Sequence, residues 1–464
     1  MKIEVPPQIP AASELGRVFF IGIGGAGLSA IARLMAQQGV TVSGSDANES
    51  AVLAALRTEG IVCHVGHDAS HLEGVDTVIA STAVRDDNPE VVEAKRRGLR
   101  LWPRSAGLRS VMEGRRTIAV AGTHGKTTTT AMLTCALIAA GAEPSFAIGA
   151  EVASLGANAR LGSGDLLVAE ADESDGAFLV YRPEGAVVTN VDADHLDNYG
   201  TVEAYAAAFE EFIGGVGRFV VLNADDPGAI RLAAVGRARG LEVLMAGFAD
   251  GADLQGHHLR VDGSSTTFTA SLRGVDLGPV TLTVPGAHYA LDALLALGTG
   301  ILLEHNVDLL IAGLGAYSGA NRRMQSLGEA GGVRVYDSYA HHPTEIAADV
   351  AAGRALADSG RLVVVYQPHL VSRTRVYGVE MGQALSAADR VIVADIYLAR
   401  EDADPSVTSA LVVDAVDGPV ATLGGPVAGL ASVVLPQLRP GDLLLTLGAG
   451  DITTVGPAVL EALA

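Results

Sequence analysis

Short apolar runs recur along the chain, and glycine-rich or acidic residues follow most of them. The first run, residues 17–23, leads through a glycine-rich turn into a helical pattern over residues 28–38. A buried strand, a turn and a helix form the repeating unit of parallel α/β sheets. Further strands are predicted at residues 41–44 and 77–80. The pattern therefore predicts a first parallel sheet, with a ligand site at the carboxyl ends of its strands.

A second strand–turn–helix unit has its strand at residues 116–121 and its helix at residues 126–140. Three more strands are predicted nearby, at residues 166–169, 185–189 and 218–222. Between residues 257 and 284, apolar and polar positions alternate in short segments broken by Gly and Asp, which predicts antiparallel hairpins. A helix at residues 290–303 and a linker at residues 313–319 are predicted next.

The remaining chain repeats the α/β pattern, with strands predicted at residues 333–336, 362–366, 391–394 and 443–447. A chain of 464 residues is too long for one ordinary core, and roughly 150 residues per domain gives about three domains. We predict an α/β protein with a Rossmann-like N-terminal domain (1–108) and a Rossmann-like C-terminal domain (322–464). The central domain (109–321) is predicted to carry the small antiparallel side sheet.

Composition limits the partners and the compartment. The formal charge is −21, from 32 Lys and Arg against 53 Asp and Glu, so nucleic acid and anionic membranes are not expected partners. Cys63 and Cys135 lack the spacing of a disulfide framework or a zinc ribbon. The first ten residues do not form a signal-peptide pattern, and a soluble, cytoplasmic protein is expected. The sequence neither indicates nor excludes an oligomer.

The first glycine-rich turn reads Gly22-x-Gly24-x-x-Gly27, and Asp46 follows the next strand. Such glycines let the backbone approach a phosphate at a helix N-terminus, and the acidic residue can hold a ribose. The motif alone does not distinguish NAD, FAD and a UDP-sugar, so an NAD-dependent oxidoreductase is one alternative. The candidate ligand-binding residues of this domain are Gly24, Gly25, Gly27, Ser45, Asp46, Ser81 and Thr82.

The most specific motif is the phosphate loop, Gly122-Thr123-His124-Gly125-Lys126-Thr127-Thr128. Its amides and Lys126 can hold β- and γ-phosphates, while Thr127 can reach Mg²⁺. Gly122 lies only three residues before Gly125, which is shorter than the spacing of the ordinary P-loop. The central domain is therefore predicted to be a P-loop-type ATPase domain. From this motif alone, a generic NTPase remains possible.

Two candidate metal ligands follow neighbouring strands of the central domain. Glu170 comes directly after the predicted strand 166–169, and His195 lies just after the strand 185–189. The ends of parallel strands converge, so both side chains are expected beside the phosphate loop, where they could hold metal ions. Histidine is an unusual Mg²⁺ ligand, and His195 is equally consistent with a solvated loop residue.

Several stretches together resemble the Mur ligase family. The phosphate loop is one of them, and the opening residues 22–29 are another. The other similar stretches are residues 169–175, 189–197, 341–345, 367–369, 372–374 and 448–452. The likeness covers nearly the whole chain, and residues 341–345 and 367–369 resemble the family member that adds L-alanine.

The resemblance implies an ATP-dependent ligase of peptidoglycan synthesis, whose three domains bind a UDP-sugar, ATP and an amino acid. The lactyl carboxylate of UDP-N-acetylmuramate would take the γ-phosphoryl group of ATP, and L-alanine would attack the acyl phosphate. The implied catalytic residues are Lys126, Glu170, His195 and Arg323, with Mg²⁺ held by Thr127, Glu170 and His195. Beyond the phosphate loop, the implied nucleotide-binding residues are His288, Tyr289, Asp292, Arg323 and Asp337. The implied amino-acid and muramyl ligands are Tyr339, His341, His369 and Arg373.

Three positions depart from the family pattern. The family usually has Asn near Tyr289 and at Asp292, and it commonly has a second Asp at Ser338. Ionised Asp only accepts hydrogen bonds, whereas Asn also donates. A diverged paralogue that binds nucleotide or UDP-sugar, with reduced or no ligase activity, is therefore an alternative.

Overall fold

The computed structural model describes residues 3–81, 84–174, 176–399, 401–418 and 420–464. The chain divides into two compact units. The first comprises Met1–Gln255, Ser271–Val275 and Asp292–Leu314, and the second comprises Gly256–Ala270, Asp276–Leu291 and Gly315–Ala464.

The first sheet of the first unit has five strands in the order β3-β2-β1-β4-β5, all parallel. Its strands are β1 Val18–Ile21, β2 Val42–Asp46, β3 Val62–Val65, β4 Thr77–Ala80 and β5 Arg100–Pro103. Its helices are α1 Ala26–Gln37, α2 Ala51–Thr58, α3 Pro89–Arg97 and α4 Arg104–Met112. From β1 the chain adds β2 and β3 on one side of the sheet, and then β4 and β5 on the other side. The strand order therefore reverses between β1 and β4, and the crevice for a ligand lies outside the carboxyl ends of these two strands.

The second sheet of this unit places β6 at its centre, in the order β12-β11-β10-β6-β9-β7-β8. Its strands are β6 Arg116–Ala121, β7 Ser145–Val152, β8 Ala157–Arg160, β9 Leu166–Glu170, β10 Gly185–Val188, β11 Phe219–Asn223 and β12 Glu242–Gly247. Its helices are α5 Lys126–Ala139, α6 Leu196–Tyr199, α7 Val202–Gly214 and α8 Pro227–Ala238. Strands β9 and β10 both pair in parallel with β6, so the segments after all three strands start at one edge of the sheet.

Strand β13 Leu254–Asp262 pairs in parallel with β12 and continues into a meander with β14 Ser265–Leu272 and β15 Val275–Leu282. Two-residue turns join these three strands, which only antiparallel neighbours allow. Helices α9 Ala287–Leu302 and α10 Val307–Gly315 follow. The linker predicted at residues 313–319 is wrong in its first three residues, because α10 includes residues 313–315. Gly313 serves close helix packing, since an added Cβ would lie 2.6 Å from Ala136 Cα.

The sheet of the second unit has the order β16-β17-β21-β18-β19-β20, with only β16 antiparallel to its neighbour. Its strands are β16 Gln325–Ala330, β17 Val333–Ser338, β18 Leu362–Tyr366, β19 Arg390–Ala394, β20 Val420–Gly425 and β21 Leu443–Leu447. Its helices are α11 Pro343–Ala357, α12 Val371–Leu385, α13 Ala410–Val413, α14 Leu430–Val434 and α15 Val455–Leu463. All residues of the central strands β18 and β21 are buried, which explains their continuous apolar runs.

The predicted α/β fold class is confirmed, with three sheets of which the central one carries an antiparallel meander. The three predicted domain ranges stay predictions, and the first predicted boundary, residue 108, lies inside α4. Several strands were not predicted from the sequence, and β3 and β20 among them are partly exposed edge strands with weak apolar patterns. Among the described residues, no helix has the length and apolar character needed to cross a membrane.

Candidate active site

The phosphate loop connects β6 to α5 and has a backbone that only glycine adopts easily. Gly122 has φ +134°, and a Cβ added there would lie 1.9 Å from Thr189 Oγ1. Gly125 has φ +80° and caps α5. The loop is fixed by the segment after β10, because His124 N donates to Asn190 Oδ1 at 2.8 Å. The loop therefore presents the N-terminus of α5 at the sheet edge, where an anion is stabilised.

Lys126 is the cation of this loop, and its ammonium group is almost fully enclosed. Its Nζ donates to the carbonyls of Gly122 at 2.6 Å and Thr123 at 3.0 Å, and it forms an ion pair with Glu173 Oε2 at 2.7 Å. Burial alone would lower the pKa of Lys126, but Glu173, Asp172 and Glu170 together raise it above its ordinary value. Lys126 therefore stays charged and balances the acidic segment that follows β9.

Glu173 is fully buried and was missed by the sequence analysis, because nothing local distinguishes it from its acidic neighbours. Burial raises the pKa of Glu173 to about 7, although Lys126 opposes the shift. Its other carboxylate oxygen lies 3.5 Å from the Tyr205 hydroxyl and 3.8 Å from His195 Nε2. Glu173 thus connects the phosphate-loop lysine with His195.

The two oxygen ligands predicted for a metal lie together. Thr127 Oγ1 donates to Glu170 Oε2 at 2.9 Å, and Gly149 N donates to the same oxygen at 2.7 Å. A hydroxyl and a carboxylate are hard oxygen donors of the kind that Mg²⁺ prefers, so this pair fits the predicted ion. His195, the third predicted ligand, has a left-handed backbone with φ +53° and lies 3.6 Å from Asp194 Oδ2.

Asp292 on α9 also borders the phosphate loop. Its Oδ1 accepts a hydrogen bond from Thr129 Oγ1 at 3.0 Å and would lie 2.6 Å from a Cβ at Gly125. Asp292 is buried, so this position is part of the loop's support. An acceptor is what Thr129 requires there, and Asp meets that need as well as Asn.

The glycine-rich turn after β1 borders a pocket of about 150 Å³. The residues lining it include Gly25, Gly27, Ser81, Arg104, Asp172 and Ser174. Gly24 N donates to Asp46 Oδ2 at 3.0 Å, which joins two of the predicted ligand residues. Ser45 Oγ instead donates to the buried carboxylate of Glu90 at 2.6 Å. Thr82 lies outside the described residues.

Arg104 is the cation of this pocket, and it was not predicted from the sequence. Its guanidinium group would lie 2.8 Å from a Cβ at Gly27, and it forms an ion pair with Asp172 at 2.5 Å. Although burial opposes the effect, Arg104 and Lys126 hold the pKa of Asp172 well below its usual range. Two pocket residues that are 68 positions apart therefore meet only in the folded chain.

In the second unit, Asp337 is buried and accepts hydrogen bonds from Thr446 Oγ1 at 2.6 Å and Thr453 Oγ1 at 2.8 Å. Arg322 donates to the same carboxylate at 3.3 Å. The guanidinium groups of Arg322 and Arg323 lie 5.0 and 5.2 Å from the centre of the Tyr339 ring. Arg322 was not predicted from the sequence. It contacts Asp337 and, together with Arg323, the Tyr339 ring, all of which were predicted.

The four residues predicted to hold the amino acid and muramyl end form one cluster. His341 Nδ1 lies 3.0 Å from the Tyr339 carbonyl oxygen, and the His341 and His369 ring centres are 5.7 Å apart. Arg373 donates to His369 Nδ1 at 3.2 Å. Two imidazoles, one guanidinium group and a phenol ring therefore converge after β17 and β18.

A second acidic residue stands beside Ser338, where the family commonly has Asp. Ser338 Oγ donates to Asp349 Oδ2 on α11 at 2.5 Å. Burial raises the pKa of Asp349 to about 7 and lowers the pKa of His288, 3.9 Å away, to about 4. The Tyr289 ring lies 4.2 Å from the His288 ring at an angle of 39°, and its hydroxyl donates to the Arg323 carbonyl at 3.1 Å. Where the family commonly has an Asp side chain at residue 338, this chain therefore has a buried carboxyl group from Asp349 on the next helix.

Comparison with known proteins gives matches along the whole chain. Family models described as "Mur ligase family, catalytic domain", "Mur ligase middle domain" and "Mur ligase, glutamate ligase domain" match residues 17–116, 120–300 and 322–450. The UDP-N-acetylmuramate–L-alanine ligase of Nocardioides sp. is 56% identical, and that of Thermobifida fusca is 48% identical, each over 100% of both chains. The crystal structure of the UDP-N-acetylmuramate-alanine ligase of Thermotoga maritima has a TM-score of 0.83 and 28% identity, covering 96% of this chain and 98% of that one.

Proposed function

Because the chain belongs to the Mur ligase family, we propose that it is an ATP-dependent ligase that joins L-alanine to the lactyl carboxylate of UDP-N-acetylmuramate in peptidoglycan synthesis. The structural observation that carries this proposal is the phosphate loop with Lys126, beside the Thr127–Glu170 pair. A generic NTPase or an NAD-dependent oxidoreductase has no support from relatives that match over full length. These relatives give no support either to the alternative of a paralogue without ligase activity.

The reaction needs an activated acyl group, because a carboxylate is a poor electrophile. The lactyl carboxylate attacks the γ-phosphorus of ATP, ADP leaves, and the amine of L-alanine then displaces phosphate from the acyl phosphate. Both steps build negative charge on phosphoryl oxygens. Lys126 and the amides at the N-terminus of α5 supply positive charge there, and Arg323 is assigned the same role.

Magnesium is the proposed metal, held by Thr127 and Glu170 with His195 as a further ligand. Once bound, Mg²⁺ would neutralise charge on the phosphates of ATP. Thr127 and Glu170 already lie within hydrogen-bond distance, so little rearrangement of the chain is needed to present two oxygens to one ion. Glu170 Oε2 also accepts a hydrogen bond from Gly149 N, which holds this oxygen beside Thr127.

The remaining residues are assigned to the ligands that they are proposed to bind. The UDP-sugar is assigned to the pocket after β1 with Arg104, and the muramyl end and L-alanine to Tyr339, His341, His369 and Arg373. His288, Tyr289, Asp292 and Asp337 are assigned to the nucleotide side, with Asp292 acting through the loop it supports. A cytoplasmic location and roles in cell shape and division are proposed as consequences of peptidoglycan synthesis.

A phosphate-release assay tests the proposed function. Release should require ATP, Mg²⁺, UDP-N-acetylmuramate and L-alanine together, and mass spectrometry should detect the UDP-sugar increased by one alanine residue. Glycine and L-serine serve as matched amino-acid controls. Release that is indifferent to the amino acid would contradict the ligase assignment, and release without the UDP-sugar would indicate a simple ATPase.

A further inference from the structure

Two successive acidic residues pair with the two cations at which phosphates are expected to bind. Asp172 pairs with Arg104 in the pocket after β1, at 2.5 Å. Glu173 pairs with Lys126 of the phosphate loop, at 2.7 Å. One short stretch of chain thus supplies a carboxylate to the cation of each site. We refer to these two residues as the acidic bridge.

Both cations lie beside a helix N-terminus that favours anions. Arg104 lines the pocket that includes Gly25 and Gly27 at the start of α1, while Lys126 is the first residue of α5. A diphosphate entering the first pocket must compete with Asp172 for Arg104, and the phosphates of ATP must compete with Glu173 for Lys126. Each ligand therefore displaces one carboxylate of the acidic bridge.

The carboxylate of Asp172 and the backbone of Glu173 are held in one short segment. Ser174 N donates to Asp172 Oδ1 at 3.0 Å, and Gly176 N donates to the Glu173 carbonyl at 2.9 Å. The Tyr199 hydroxyl donates to the same carbonyl. Withdrawing the Asp172 carboxylate breaks its hydrogen bond to Ser174 N, which is the backbone group directly after Glu173. This bond is the physical link between the two ion pairs.

We propose that the acidic bridge couples the two binding sites, so that displacement of one carboxylate releases both cations. This proposal rests on the proposed function, since it takes UDP-N-acetylmuramate and ATP as the two ligands. The first ligand to bind breaks both ion pairs, and the second ligand then finds its cation already released. The consequence is positive coupling, in which each ligand tightens the binding of the other by the same factor.

Isothermal titration measures this coupling directly. UDP-N-acetylmuramate is titrated into the full-length protein with and without Mg²⁺ and an ATP analogue whose β–γ bridge is an NH group. The wild-type dissociation constant should fall about tenfold when the analogue is present, within the usual range of coupling between sites. The reverse titration should give the same factor.

Asp172→Asn removes one charge of the acidic bridge and keeps the shape of the side chain. In this variant, UDP-N-acetylmuramate should bind more tightly to the ligand-free protein, and the effect of the analogue should fall to less than about threefold. Glu173→Gln should weaken the coupling from the ATP side. The matched control is Glu184→Gln, which breaks the Arg116–Glu184 pair (2.7 Å) before β10 and should leave the coupling at its wild-type value.

The outcomes separate this inference from the proposed function. Wild-type protein that releases phosphate with all substrates but shows no coupling would overturn the acidic bridge alone. Coupling that is equal in wild type and Asp172→Asn would overturn it as well. Failure of wild-type protein to bind UDP-N-acetylmuramate or the analogue would overturn the proposed function, and the inference with it.

Discussion

The buried carboxyl group of Asp349 makes the stability of the second unit depend on pH. Burial raises its pKa from 3.8 to about 7, although the hydrogen bond from Ser338 opposes the shift. Glu345 also raises this pKa, whereas Arg323 lowers it. Because the folded pKa exceeds the unfolded one, the folded state holds the proton more tightly. The resulting stabilisation is complete below pH 3.8 and is lost as the pH rises through about 7.

Asp349→Asn removes this titration, because Asn cannot ionise. Between about pH 5 and pH 8 the titration of Asp349 should lower the wild-type free energy of unfolding by about 3 kcal/mol, from about two pH units at 1.36 kcal/mol each. The Asp349→Asn variant should not show this decrease in the free energy of unfolding. His288 acts in the opposite direction, because burial lowers its folded pKa from 6.5 to about 4, so it adds stability as the pH rises to about 6.5. This contribution is the same in wild type and variant, and it cancels when the two are compared. The free energy of unfolding of the variant, relative to wild type, should therefore rise with pH.

Urea unfolding at several pH values between about 5 and 8 measures the effect. The control is Asp165→Asn, which neutralises a carboxylate with a side chain that is 69% exposed and should give a profile parallel to wild type. Ser338→Ala removes the hydrogen bond that lowers the pKa of Asp349, so its loss of stability should extend to higher pH. Parallel profiles for wild type and Asp349→Asn would refute burial as the cause of the raised pKa.

Three further substitutions test the phosphate loop. Gly122→Ala should lower the free energy of unfolding by about 3 kcal/mol or more, since the new Cβ meets Thr189. Gly141→Ala, also at positive φ but in open space, should cost only about 1 kcal/mol, and equal urea midpoints would contradict this difference. Lys126→Met should reduce kcat for phosphate release by about 100-fold or more, and unchanged kcat would remove its catalytic role. Thr127→Val should raise the Mg²⁺ concentration for half-maximal activity about tenfold, and an unchanged Mg²⁺ titration would exclude it as a ligand.

Local patterns were sufficient to predict the sheet centres and the phosphate loop. Buried parallel strands appear as continuous apolar runs, and the segment 116–126 contains the strand, the glycines and the lysine in direct succession. Edge strands such as β3 and β20 are partly exposed, and their sequences lack that signal. The approach of Asp46 to Gly24 was also predictable, because both lie at the ends of neighbouring parallel strands.

The residues that sequence reasoning missed act through long-range pairs. Arg104 begins α4, after the last strand of the first sheet, and Asp172 follows β9 of the second sheet, so no spacing rule connects them. Glu173 stands in an acidic stretch in which only folding determines which carboxylate becomes fully buried. The same applies to Asp349, which contacts Ser338 because α11 packs beside the end of β17.

The departures at residues 292 and 338 show why a residue-by-residue comparison with a family can mislead about activity. At 292 the chain requires an acceptor for Thr129, and either Asp or Asn supplies one. At 338 the chain has Ser, but a carboxyl group lies within 2.5 Å of that hydroxyl, on residue 349. The chemistry of a site depends on the groups present in the folded structure and less on the position that contributes each one. Ser338→Asp would place two carboxyl groups together in a buried site, so it should destabilise the protein without raising kcat. Higher kcat in Ser338→Asp, measured by phosphate release, would show instead that the missing Asp limits the enzyme.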